Sequence, residues 1–208
     1  MAMHHSMRSP LLFLALLASF TTLAQSDINN EEFQLSYLTK EDGAQFLYNG
    51  KAHAFGIDIK ADSIKTTEYP NYIIADKHIV QVSAIPLQPT SIDLSRLTIE
   101  QQKGALSGYV DFEMDYFRNE LKLDCRNMKK EWIFIDSKLW LIWSFDAIAH
   151  DVSEQLAQKT KSQVYSSTIC FNQVLDLNIP VFQNDDIVKI KVLITDLMSS
   201  LKMFDKRL

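Results

Sequence analysis

The stretch EWIFIDSKLWLIWSFDA, Glu131 to Ala147, decides the fold. It holds all three tryptophans, Trp132, Trp140 and Trp143, with Phe134 and Phe145 beside them. Its one polar break is Asp136-Ser137-Lys138. Two aromatic, β-prone runs around such a break predict a β-hairpin. In the second run Leu139, Leu141, Trp143 and Phe145 share one parity, and Trp140 and Ile142 the other. A strand apolar at both parities is covered on both faces, so this hairpin is expected to nucleate the core.

On the C-terminal side, 147–163 is polar and reads as a solvated loop with a helical turn or two. Val164 to Phe182 returns to strand-like sequence, expected to bend near Asp176 and to end around Pro180. Asn184-Asp185-Asp186 supplies an N-cap and first-turn acids for a last helix. Its apolar face is Ile187, Ile190, Ile194, Leu197, Leu201 and Phe204.

On the N-terminal side, Thr98 and Gln101 form a possible capping box that opens the longest helix. Leu106, Tyr109, Val110, Phe117 and Leu121 recur at the helical period, opposite a stripe of Asp111, Asp115, Arg118 and Lys122. Residues 109–117 also alternate as a strand would; the cap and the four-residue charge spacing favour the helix. Leu121, Leu123 and Cys125 alternate into a strand that enters the tryptophan hairpin. Further upstream, Tyr72 to Ala75 and His78 to Leu87 are strand-like, broken by Asp76-Lys77. Val80, Val82 and Ala84 alternate there with Gln81 and Ser83, predicting one buried face. Asn49-Gly50 between apolar runs predicts another hairpin. Residues 25–40 read as a loop leading to a short helix or strand.

The first residues are a different kind of sequence. Arg8, the run Leu11 to Ala18, and Thr22-Leu23-Ala24 have the layout of a secretory signal peptide cut before Gln25. The run is shorter than the ~20 apolar residues needed to cross a bilayer. MAMHHS is unusual before such a segment, and Met7 reads as the true start. The mature chain is then a single domain, 25–208, directed to the periplasm or the medium. Loss of 1–24 removes Arg8 and no acid, which takes the formal charge from −5 to −6. A mildly acidic chain with scattered lysines cannot neutralise a phosphate backbone, so nucleic acid is not its partner. No later stretch is long and apolar enough for a transmembrane helix. A hydrophobic content of 47% with five glycines and five prolines excludes a disordered chain.

The elements run in the order hairpin and strands, long helix, strands around the tryptophans, last helix. Short turns between successive strands favour an antiparallel sheet, and helices laid on it give an α+β sandwich. In this order the chain resembles exported domains of the Mog1/PsbP type. The resemblance is carried by AFGIDI, IVQVSAIPL, the helix from Thr98, KLWLIWSFDA and a last helix ending SSLKMF. It covers most of 45–205 and rests on no specific motif. FDA and STICFNQVLDLN are also similar to secreted bacterial proteins of uncharacterised function. The resemblance implies a central, mainly antiparallel sheet covered by the middle and last helices. It implies an accessory or binding role and transfers no catalytic residue.

Candidate chemistry is sparse. His53, His78 and His150 each have an acid within a few residues, Asp58, Asp76 and Asp151. Histidine with carboxylate is what a general base or a metal site uses, but no ligand spacing such as HExxH occurs. His150 and Asp151 stand out because they follow the central strand. Cys125 and Cys170 could form one disulfide in an exported protein, or remain two buried thiols. A cysteine nucleophile is disfavoured because both lie in apolar strands. There is no GxSxG, P-loop, GxGxxG or CxxC. Asp111, Glu113 and Asp115 read as a solvated helix face, and the tryptophans as core before sugar-stacking platforms. No cofactor is implied. The expectation is a non-enzymatic exported domain binding a protein or a small ligand. The alternatives are a hydrolase or metal-dependent enzyme around His150, and a protein that oligomerises through strand edges or the last helix.

Overall fold

A computed structural model describes residues 31–86, 97–149 and 160–206. The strands are β1 (Gln34–Lys40), β2 (Gly43–Asn49), β3 (His53–Lys60), β4 (Ile64–Thr66), β5 (Tyr72–Ala75) and β6 (His78–Pro86). Helix α1 (Ile99–Asn119) follows, then β7 (Leu123–Ile135), β8 (Lys138–Ala149), β9 (Thr160–Cys170) and β10 (Gln173–Phe182). Helix α2 (Ile187–Ser199) and β11 (Lys202–Asp205) complete the order. The fold is α+β, and every strand pairing is antiparallel.

The tryptophan hairpin forms as expected. Asp136 and Ser137 both take positive φ, 48° and 64°, in a two-residue turn between Ile135 and Lys138. Such a turn matches the twist of the flanking strands. β8 is covered on both faces: Trp140 lies in one core, and Leu141, Trp143 and Phe145 in the other. β7 is different. It is the edge strand of its sheet, Phe134 is 57% exposed, and Lys129, Lys130 and Glu131 keep the edge charged.

There are two sheets where one was expected. Sheet B has the order β4-β5-β6-β10-β9-β8-β7, and sheet A has β1-β2-β3-β11. Sheet A packs on one face of sheet B through Phe46, Tyr48, Phe55, Ile57 and Ile59. The Tyr48 hydroxyl donates to the Val82 carbonyl at 2.5 Å across that core. Helix α2 enters the same core with Ile190, Ile194, Leu197 and Met198. The other face of sheet B packs against α1 through Leu106, Tyr109, Val110, Met114 and Phe117. The predicted capping box is present: Thr98 N–H donates to Gln101 Oε1 at 2.9 Å, and Gln101 N–H to Thr98 Oγ1 at 3.3 Å. Residues 109–117 are helix, which settles the competing strand pattern.

Within 25–40, where a loop leading to a short helix or strand was expected, the described residues form β1, paired along its length with β2. The hairpin expected at Asn49-Gly50 joins β2 to β3. Its turn has no positive φ; the three-residue loop wraps the Glu31 carboxylate, which a Cβ at Gly50 would meet at 2.5 Å. Two local expectations are corrected. Asp176 lies in the middle of β10, and the chain turns instead at Phe171-Asn172, with Phe171 at φ 52°. The last helix stops at Ser199, because Ser200 caps it and the chain then pairs with the free edge of β3. Phe204 is therefore on a strand and exposed.

Cys125 and Cys170 are both free. They belong to opposite faces of sheet B. Cys125 is opposite Ala147 of β8, whereas the β8–β9 register carries Cys170 toward Lys138. Nine residues of strand, about 30 Å, separate those positions, so no bridge can close. Among the described residues, no helix is long and apolar enough to cross a membrane.

Trp140 is fully buried between the sheets, whereas Phe134 is mostly exposed. Trp140→Ala is expected to cost about 3–5 kcal/mol and Phe134→Ala less than about 0.5 kcal/mol in urea unfolding.

Candidate functional site

The α1 face of sheet B carries a polar surface where a core would ordinarily be apolar. Two adjacent cross-strand rows build it. One runs Trp143, Tyr165, Asn178, Gln81, Tyr72, each in register with the next across β8, β9, β10, β6 and β5. The other runs Leu141, Ser167, Asp176, Ser83. Alternation places these side chains opposite the apolar set Val80, Val82, Leu175, Leu177 and Ile179, which faces sheet A.

Asp176 is the centre. Ser167 Oγ donates to Asp176 Oδ1 at 2.5 Å, and Trp143 Nε1 donates to Ser167 Oγ at 2.9 Å. The Tyr109 hydroxyl, from α1, comes close to the carboxyl. Trp143 stacks on Tyr165 with ring centroids 4.0 Å apart, and Phe117 of α1 packs over both. Around this centre Gln81 Nε2 donates to Ser83 Oγ at 3.0 Å, Asn71 Nδ2 to the same oxygen at 3.3 Å, and Asn178 Nδ2 to Gln163 Oε1 at 3.1 Å. Within the rows Asp176, Asn178 and Tyr165 are buried and Ser83 is partly exposed; Asn71, before β5, and Glu113, on α1, are also partly exposed.

Burial governs the ionisation here. It drives the Asp176 carboxyl well above the usual carboxylate range, against the opposing hydrogen bond from Ser167, and the nearby Glu113 adds to the rise. Glu113, one turn after Tyr109 on α1, is pushed up to about 7 by burial. Burial, with Asp176 second, raises the Tyr109 and Tyr165 phenols as well. The surface thus presents amides and hydroxyls beside two carboxyls that burial makes harder to ionise. That chemistry offers hydrogen bonds to a polar ligand of little charge. Ser167 is fully buried, and the raised Asp176 pKa makes its carboxyl a poor source of the ionised partner that an activated serine needs.

The residues singled out in the sequence lie elsewhere. His53 Nδ1 meets Glu31 Oε2 at 2.5 Å, and its Nε2 is 4.0 Å from Asp205 Oδ2. Phe171 stacks on the same ring at 4.1 Å. Asp58, its expected neighbour, instead binds Lys40, Gln45 and Lys202. Burial works to raise the Glu31 pKa, but hydrogen bonds from the His53 ring and the Ala52 and His53 N–H groups outweigh it and hold it low. This cluster ties both described chain ends and the β9–β10 turn together at one edge of the molecule. His78 is on sheet B; its Nδ1 is buried without a hydrogen bond, and Asp76 binds the Ser63 N–H instead. His150 and Asp151 lie outside the described residues. Burial raises the Cys125 thiol despite Arg118 and pushes Cys170 up to about 12, which leaves both inert. Among the described residues, no three His, Cys, Asp or Glu side chains are placed to hold a metal ion. Asp111 pairs with Lys130 at 2.8 Å, in keeping with a solvated face, but Glu113 points to the sheet and departs from that reading.

No protein-family model matches the chain, and no curated protein sequence matches it. Among solved structures it is similar to the solution structure of cyanobacterial PsbP (CyanoP) from Synechocystis sp. PCC 6803, at 13% identity, over 88% of this chain and 99% of that one, with a TM-score of 0.37. That neighbour is of the PsbP type expected from the order of elements.

An acid whose pKa rises on folding keeps its proton in the folded state after the unfolded chain has lost it. Stability attributable to Glu113 therefore falls as pH climbs from its ordinary 4.5 to about 7, then levels off. Glu113→Gln is expected to flatten that slope and to raise Tm above neutral pH, as a thermal-melt series from pH 4.5 to 8 would read. Asp176→Leu strands the Ser167 hydroxyl and is expected to cost about 1–3 kcal/mol, whereas Asp176→Asn, an isostere of the protonated acid, costs less.

Proposed function

We propose that the chain is an exported, non-enzymatic binding domain of the bacterial cell envelope, one domain spanning 25–208 after removal of the first 24 residues. Its ligand meets the polar rows of sheet B where they open at Asn71, Ser83 and Glu113. The carrying observation is the row Tyr165, Asn178, Gln81, Tyr72 beside Ser167, Asp176 and Ser83: polar side chains in register across four adjacent strands, on a face that packing alone would fill with apolar residues. The signal-peptide pattern, with its cut before Gln25, supports placement in the periplasm or the medium. The competing reading, a hydrolase or metal-dependent enzyme, draws no support from His53 and His78, which stand on different sheets.

The test is native mass spectrometry of the protein purified from its own compartment, compared with Gln81→Leu/Asn178→Leu. The expected result is a chain beginning at Gln25 that carries a noncovalent adduct, at least tenfold depleted in the variant. A chain retaining residues 1–24, or turnover of a substrate that depends on His53 or His150, would overturn the reading.

A further inference from the structure

Helix α2 is apolar on more sides than one contact can use. Ile190, Ile194, Leu197 and Met198 enter the core between the sheets. On the outside, Ile187, Val188 and Val192 remain 43%, 64% and 54% exposed. Val188, Lys191, Val192, Thr195 and Asp196 line a shallow concavity of about 250 Å³ there. Val188 and Val192, one turn apart, form the apolar centre of an outer face otherwise made of Lys189, Lys191, Thr195, Asp196 and Ser199.

The charges beside this stripe select what covers it. Lys189 and Asp196 are both exposed. They are seven residues apart, two turns, and so lie on the same flank of Val192. In an antiparallel pair related by a two-fold axis, each flank meets the same flank of the other helix read in reverse. Lys189 then faces Asp196 of the second copy, and Asp196 faces its Lys189, with Val192 near the axis. A parallel pair would set this flank against the opposite one, Val188, Lys191 and Thr195, and would leave Lys189 and Asp196 apart. The helix dipole points the same way. Lys189 lies in the first turn and Asp196 near the end, each at the terminus of its own helix that disfavours its charge. Across an antiparallel contact each sits beside the terminus that favours it.

We propose that the outer face of α2 is a homodimer interface, closed by antiparallel pairing with α2 of a second copy. This goes beyond the ligand-binding reading and does not rest on it. One helix face is a small contact, so the dimer is weak and forms at high concentration.

Sedimentation velocity of the mature chain over a hundredfold concentration range reaching about 1 mM tests this. The expected result is a reversible monomer–dimer equilibrium that Val192→Glu weakens at least tenfold. Lys189→Glu and Asp196→Lys should each weaken it, and the double variant K189E/D196K should restore it to within about threefold. All three positions are exposed, and matching melting curves confirm that the variants fold. A monomer throughout would overturn the proposal. So would a dimer indifferent to Val192→Glu, or one that the double charge exchange does not restore.

Discussion

Sheet B is buried on both faces, and the rest of the structure follows from that constraint. Its central strands must supply two sets of inward side chains with different partners. Toward sheet A they supply an apolar set, Val80, Val82, Leu175, Leu177, Ile179 and Trp140. Toward α1 the surface divides. Trp143, Phe145 and Tyr165 pack under Phe117 in the ordinary way. The neighbouring positions on β9, β10 and β6 are polar, and burying them without partners would cost several kcal/mol each. The chain answers with the hydrogen-bonded sequence Trp143 to Ser167 to Asp176, closed from above by Tyr109. α1 therefore closes a polar network as well as covering an apolar core.

What was legible in the sequence was local. The Asp136-Ser137 turn, the Thr98 capping box, the Asp76-Lys77 turn and the N-cap at Asp186 are each defined within a few residues, and all appear where expected. What was not legible depends on distant contacts. The division into two sheets follows from how β1, β2 and β3 pack, which no short window carries. Phe171 turns the chain with a positive φ that its residue type disfavours; its ring is held against His53 and Phe33, and no glycine marks the place. β11 exists because β3 presents a free edge, and Leu201 to Phe204 continue the helical pattern of α2 well enough to conceal it.

The candidate site was written in the sequence and read the wrong way. Gln81 and Ser83 alternate with valines, and Asp176 and Asn178 alternate with leucines and isoleucine. Period two shows that these polar residues share a face, but it does not distinguish a solvated face from a buried one. Glu113 was obscured by its neighbours, since Asp111 and Asp115 are indeed exposed and only Glu113 turns inward. The histidines misled for the opposite reason. His53 does have carboxylate partners, but they come from Glu31 and Asp205, at the two ends of the described chain, and not from the acid near it in sequence.

Two carboxyl groups lie beneath α1, and burial makes both harder to ionise. Carbon-13 NMR of the side-chain carboxyls, followed from pH 3 to 9, observes them directly. Glu113 is predicted to titrate with a midpoint of about 7, and Asp176 to hold its proton well past the range in which ordinary aspartates ionise. Midpoints near 4 for both groups would mean that water reaches them freely, and the closed polar network described here would be wrong.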